Sequence, residues 1–205
     1  MYIYRLSHGY EEENIEESKS SIQPFFRKGW MLRNIKDQRK FLSEVFDQWK
    51  ISRDFNEFLV LLAQTWIALE DIYIEDVDKY YNTNFFEKKL FFYLLEYGEE
   101  TLIQNKKFVL LDGYIQAITE YFFWGNPELK IEASEEKGKR LLKRIRKENP
   151  GNFIVEWFYS LIFAGPGEYK KFYKKFDVGS RINDVFPLDT EVDHYFRKLA
   201  DLSRG

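Results

Sequence analysis

Between Ser134 and Trp157 the chain reads SEEKGKRLLKRIRKENPGNFIVEW, and no other stretch constrains the fold as tightly. Gly138, Leu141, Leu142 and Ile145 fall at i, i+3, i+4 and i+7, the spacing of one narrow apolar stripe on an α-helix. Ser134 is placed to cap that helix, with Glu135 and Glu136 in the first turn, where the helix dipole favours anions. Lys143, Arg144, Arg146 and Lys147 sit towards the other end, where it favours cations. Asn149-Pro150-Gly151-Asn152 cannot continue the helix. Phe153, Ile154, Trp157, Phe158, Leu161 and Ile162 then open a second, more buried helix that halts at Gly165-Pro166-Gly167. Gly138 has no Cβ, so it lets a neighbouring helix approach closely, at about 1 kcal/mol in helix propensity.

The helical period recurs along the chain. Phe41, Leu42, Val45, Phe46 and Trp49 form one face of a helix. Asp54 with Glu57 resembles a capping box ahead of Phe55, Phe58, Leu59, Leu62, Trp66 and Leu69. Glu70 to Asp78 fits either a continued helix or a turn. Asn84 with Glu87 repeats the capping signal before Phe86, Leu90, Phe91, Leu94 and Leu95, and Gly98 is placed to end that helix. A fourth helix is expected from about Lys107 to Trp124, with Leu111, Ile115, Ile118 and Phe122 on one side and Gly125-Asn126-Pro127 as its stop. Beyond Gly167, Tyr169, Phe172, Tyr173 and Phe176 interleave with Lys170, Lys171, Lys174 and Lys175. Thr190 and Asp193 then cap a last helix carrying Val192, Tyr195, Phe196, Leu199 and Leu202.

These patterns predict an all-α protein of about eight helices, built as stacked antiparallel helical hairpins. A single helical domain is expected over 37–205. Residues 1–36, with the acidic run Glu11, Glu12, Glu13, Glu16 and Glu17, form an N-terminal segment that docks on the core or precedes it.

The spacing ahead of Pro150 resembles the second helix of a tetratricopeptide-type repeat. Gly138 stands twelve positions before Pro150, as the family's small residue does, and Leu142 and Ile145 occupy the apolar positions between. Ile145 stands where the family usually has Ala. Phe153 would open the next repeat, with Trp157 near its aromatic position and Ser160 near its small one. The resemblance covers about 107–164. It departs from the family in the longer Gly125–Lys130 loop, in the 45-residue offset from Phe108 to Phe153 against a period of 34, and in showing no repeat over residues 1–100. What it implies is stacked hairpins whose first helices line a concave protein-binding groove.

Composition removes several chemistries. With no cysteine there is no disulfide, thiolate metal site or cysteine nucleophile. The two histidines, His8 and His194, lie far apart, so no transition-metal ligand set is expected. Neither GxxxxGK[ST] nor GxGxxG occurs, so no phosphate-cradling loop or cofactor is expected. Acidic residues number 34, too many for any one pair to stand out as catalytic, and no catalytic residue is assigned. The N-terminus lacks a basic region followed by an apolar run, and Phe58–Leu69, interrupted by Gln64 and Thr65, is too short to span a bilayer. A cytoplasmic protein without membrane contact is expected.

Two surfaces remain as candidates. Residues 1–100 carry 13 Lys+Arg against 19 Asp+Glu, and residues 101–205 carry 18 against 15. In the acidic half, Glu70, Asp71, Glu75, Asp76 and Asp78 precede Tyr80 and Tyr81. Carboxylates steer a basic partner while tyrosines give apolar contact. This points to a non-catalytic protein-binding protein, in its concrete form an immunity or antitoxin-type protein that neutralises a basic toxin. The alternative lies in the basic half, where Lys139, Arg140, Lys143, Arg144 and Lys147 belong to a cationic stripe suited to nucleic acid.

Overall fold

Apolar periodicity becomes helix in the computed structural model, which describes residues 35–75, 78, 81, 85–119, 122, 135–164, 193, 195–197 and 199. Its helices are α1 Ile35–Ser52, α2 Phe55–Glu75, α3 Phe86–Thr101, α4 Lys106–Ile118, α5 Glu135–Glu148 and α6 Phe153–Phe163. Asp193, Tyr195–Arg197 and Leu199 are helical as well, and no strand occurs among the described residues. The segments 1–34 and 165–192 lie outside the described residues.

Helix α2 is apolar nearly all round, as a helix enclosed by others must be. Phe58 to Thr65 are all buried, with Trp66, Ala68, Leu69 and Ile72 behind them. α1, α3 and α4 pack against it. Asp54 caps its start, accepting from the Asn56 and Glu57 amides at 2.8 and 2.9 Å. The reciprocal half of the expected capping box does not form. The Glu57 carboxylate turns instead to the end of α1, where Gln48 Nε2 donates at 2.9 Å and the Ser52 hydroxyl also donates.

The second capping reading fails for a related reason. Phe85 stands at the N-cap of α3 without a side-chain cap, and Asn84 lies outside the described residues. Glu87 is buried and takes Arg39 of α1 at 2.8 and 3.0 Å. A carboxylate on the inner face is worth more as the partner of a guanidinium from the adjacent helix than as a local cap. Gly98 does not end α3 either. A Cβ there would fall 2.2 Å from Phe108 Cε2, so the glycine is a slot for that ring, and the helix runs on to Thr101.

Helix α4 begins at an Asn105 cap and ends at Ile118, well short of Trp124. The Thr119 amide and hydroxyl both donate to the Ile115 carbonyl, at 2.9 and 2.6 Å, and the Phe122 amide donates to Thr119 at 2.9 Å. This tighter turn carries Phe122 into the core against Phe91.

α5 packs on α4 backbone to backbone at Gly138. A Cβ at Gly138 would stand 2.5 Å from both the Gly113 carbonyl oxygen and the Ala117 nitrogen. Across the same crossing, Leu142 covers Gly113. The stripe Gly138, Leu141, Leu142 and Ile145 is buried, as its spacing predicts. At the turn, Asn149 donates twice to the Ile145 carbonyl, Gly151 adopts φ +73°, and Asn152 caps α6 through the Val155 amide at 3.3 Å. Phe196, from the C-terminal helical turn, closes an aromatic cluster with Trp157, Phe158 and Tyr114. Its neighbour Asp193 holds Arg197 at 2.9 Å.

The Gly138→Ala variant is predicted to lose about 1–3 kcal/mol of stability through overpacking, although alanine gains about 1 kcal/mol in helix propensity. Urea unfolding of the two proteins measures the difference. An unchanged or raised midpoint would show that the crossing tolerates a methyl group.

Candidate functional site

The basic face of α5 divides according to helix geometry. Relative to the buried stripe, Lys137 and Arg144 fall on one flank, Lys143 and Arg146 on the other, and Arg140 and Lys147 point outward. Lys139 pairs within its own helix, with Glu135 and, at 3.8 Å, Glu136. Of the five residues of the nucleic-acid alternative, Lys143 and Lys147 line one groove, and Arg144 leaves the exposed face. Arg144 turns inward, its Nη2 donating to the Ile103 carbonyl at 3.1 Å.

On the inward flank α5 meets a polar cluster within the apolar packing. Lys137 Nζ lies 2.5 Å from Glu99 Oε1 of α3. Gln116 Nε2 donates to the same oxygen at 3.0 Å and to Asp112 Oδ1 at 2.5 Å. Asp112 has no exposed surface, and its Oδ2, Gln116 Oε1 and Arg144 Nε are buried without a hydrogen bond. Burial, reinforced by the Glu99 charge, raises the Asp112 carboxyl from 3.8 to about 7, while Gln116, Lys137 and Arg144 pull the other way. Two inward carboxylates with different environments can divide acid and base roles. Here the enclosed member offers no face to a substrate, and the cluster holds α3, α4 and α5 together. The sequence signal for it is Asp112 and Gln116 at i, i+4 inside the otherwise apolar FVLLDGYIQAI.

On the other flank α5 and α6 enclose an open groove of about 390 Å³, lined by Lys143, Arg146, Lys147, the Pro150–Gly151 turn, Glu156 and Tyr159. Arg146 lies 4.0 Å over the Tyr159 ring, and its Nε donates to Glu156 at 3.0 Å. Tyr159 stacks on Phe163 at 4.2 Å, and Lys143 lies 5.2 Å over Phe163. Another open groove, of about 430 Å³, runs between α1 and α3 beside Arg39, Lys40, Ser43, Glu44 and Phe86.

The acidic–aromatic run begins on α2, which continues through Glu75 and has no basic residue in its last turn. Glu70 is half-buried, and Asp78 and Tyr81 are helical and exposed. The side chains of Asp71 and Glu75, and residues Asp76 and Tyr80, lie outside the described structure. Among the described residues no group of three His, Asp or Glu gathers for a metal ion, and no helix is long and apolar enough to cross a membrane.

The raised Asp112 carboxyl makes a signed prediction. The folded protein keeps a proton that the unfolded chain releases near pH 4, so this contribution to stability is full below that pH and declines as pH rises towards 7. Between pH 5 and 8 the wild type is expected to lose about 2 kcal/mol relative to Asp112→Asn. Urea midpoints at the two pH values read this out, and parallel pH profiles would contradict it. No protein-family model, curated protein or solved structure matches this chain.

Proposed function

We propose that this chain is a non-catalytic helical protein that binds another protein through the acidic–aromatic end of α2, as an immunity or antitoxin-type protein masks a basic toxin. The observation that carries the reading is electrostatic. Carboxylates Glu70, Asp71 and Glu75 crowd the C-terminal part of α2, with no basic residue in its last turn. In the last turn of a helix negative charge is disfavoured by about 0.3–1 kcal/mol, so helix stability does not account for Glu75, with Glu70 and Asp71 one turn behind it. Asp78 and Tyr81, helical, exposed and three residues apart, share a face on which a carboxylate and an aromatic ring meet a partner together.

The finer architecture belongs to the same proposal. The approach of Gly138 to the α4 backbone and the Asn149–Asn152 turn into α6 support hairpins stacked in the tetratricopeptide manner, and we place them in a cytoplasmic chain of about eight helices. The full burial of Asp112 supports a non-catalytic reading, since the most perturbed carboxyl among the described residues has no access to a substrate.

The test is capture from a lysate of the native host, comparing wild type with a variant reversed at Asp71, Asp76 and Asp78 to lysine. The expected result is a basic protein retained by the wild type, released by salt, and lost from the variant. Capture of the same protein by both would rule out this surface.

A further inference from the structure

We infer that the groove between α5 and α6 binds single-stranded nucleic acid, with Arg146 as a stacking platform for a base and Lys143 and Lys147 as its phosphate contacts. This surface is separate from the acidic end of α2 and stands or falls independently of it.

Among the described residues, three cations and one carboxylate line the groove, and the carboxylate, Glu156, is already paired with Arg146. The groove is therefore electropositive at its rim. Its occupant is an anion on grounds of charge complementarity, and the arrangement of Arg146 decides which anion. The guanidinium is held from below by Tyr159, itself backed by Phe163, and along one edge by Glu156. A fixed guanidinium plane with 43% of its side chain exposed presents one open face. Unpaired bases stack on arginine planes and aromatic rings, whereas a duplex hides its base faces within its own stack. Glu156 takes only the Nε edge of Arg146. An acidic peptide would use the remaining Nη donors, whereas a stacked base uses the open face, and the poly-glutamate competitor separates the two.

The backbone of the turn adds to the fit. Gly151, at φ +73°, has nothing within 4 Å of where a Cβ would stand, so the chain there can be approached closely. The N-terminus of α6, capped by Asn152, opens beside it and favours negative charge. Lys147 is exposed at the outer edge, and Lys143 lies on the Phe163 side.

Fluorescence anisotropy with the full chain tests this, using a labelled single-stranded 12-mer of uridine or thymidine at low and moderate salt. A duplex of the same length and poly-glutamate serve as competitors. The expected result is binding that weakens with salt and that single strands outcompete best. The Lys143→Gln, Lys147→Gln double variant, checked for an unchanged melting curve, is expected to bind about tenfold or more weakly. Its slope of log K against log salt should be shallower by about 1.4, two phosphate contacts at about 0.7 each. Absence of binding at low salt, binding unchanged in the double variant, or competition by duplex or poly-glutamate as effective as by single strand would each overturn the assignment.

Discussion

The crossing of α4 and α5 at Gly113 and Gly138 is the contact on which the second half of the structure depends. Because neither glycine carries a Cβ, the α5 backbone comes down onto the Gly113 carbonyl and the Ala117 amide, a separation that any larger residue at Gly138 would prevent. That closeness fixes the rotation of α5. Once the Gly138–Ile145 stripe faces α4, the 3.6-residue period sends Lys137 and Arg144 towards α3 and sends Lys143 and Arg146 towards α6. A helix that looks uniformly basic in one dimension thus supplies an internal clasp on one flank and a groove wall on the other.

The internal clasp carries an energetic cost. Asp112 is enclosed where a charge is poorly solvated, and three polar atoms around it have no hydrogen bond. Burial of such groups disfavours the folded state by about 1–3 kcal/mol each relative to a satisfied arrangement. The fold carries that cost in an otherwise apolar interior, where Phe108, Leu111 and Ile115 of α4 and Leu142 of α5 are all fully buried. Polar clusters of this kind specify one register between helices more than they stabilise it. Glu99, Gln116, Asp112 and Lys137 meet only when α3, α4 and α5 are all in place.

What could be read from the sequence divides by the range of the interaction. Apolar periodicity located the helices, and the Gly138 stripe, the Asn149–Asn152 turn and the burial of Trp157 follow from spacings within a few residues. Glu57 and Glu87 have the spacing of local caps, yet Gln48, Ser52 and Arg39 from α1 claim their carboxylates. Gly98 has the position of a helix terminator, and only the arrival of Phe108 reveals it as a slot. Asp112 offered a local signal, a lone acid on an apolar helix, but its partners Glu99 and Lys137 come from α3 and α5. The acidic–aromatic run is legible as composition. Its helical backbone as far as Glu75, and the exposure of Asp78 and Tyr81, depend on how the helices pack and not on local spacing.

If the glycine crossing organises this part of the molecule, α4 and α5 open only together. Native-state hydrogen exchange measures this amide by amide. The prediction is that amides around Ile115 in α4 and around Leu142 in α5 exchange with one common free energy, equal to that of global unfolding and with the same denaturant dependence. Exchange of the α5 amides through a separate, lower-energy opening while α4 stays protected would contradict it.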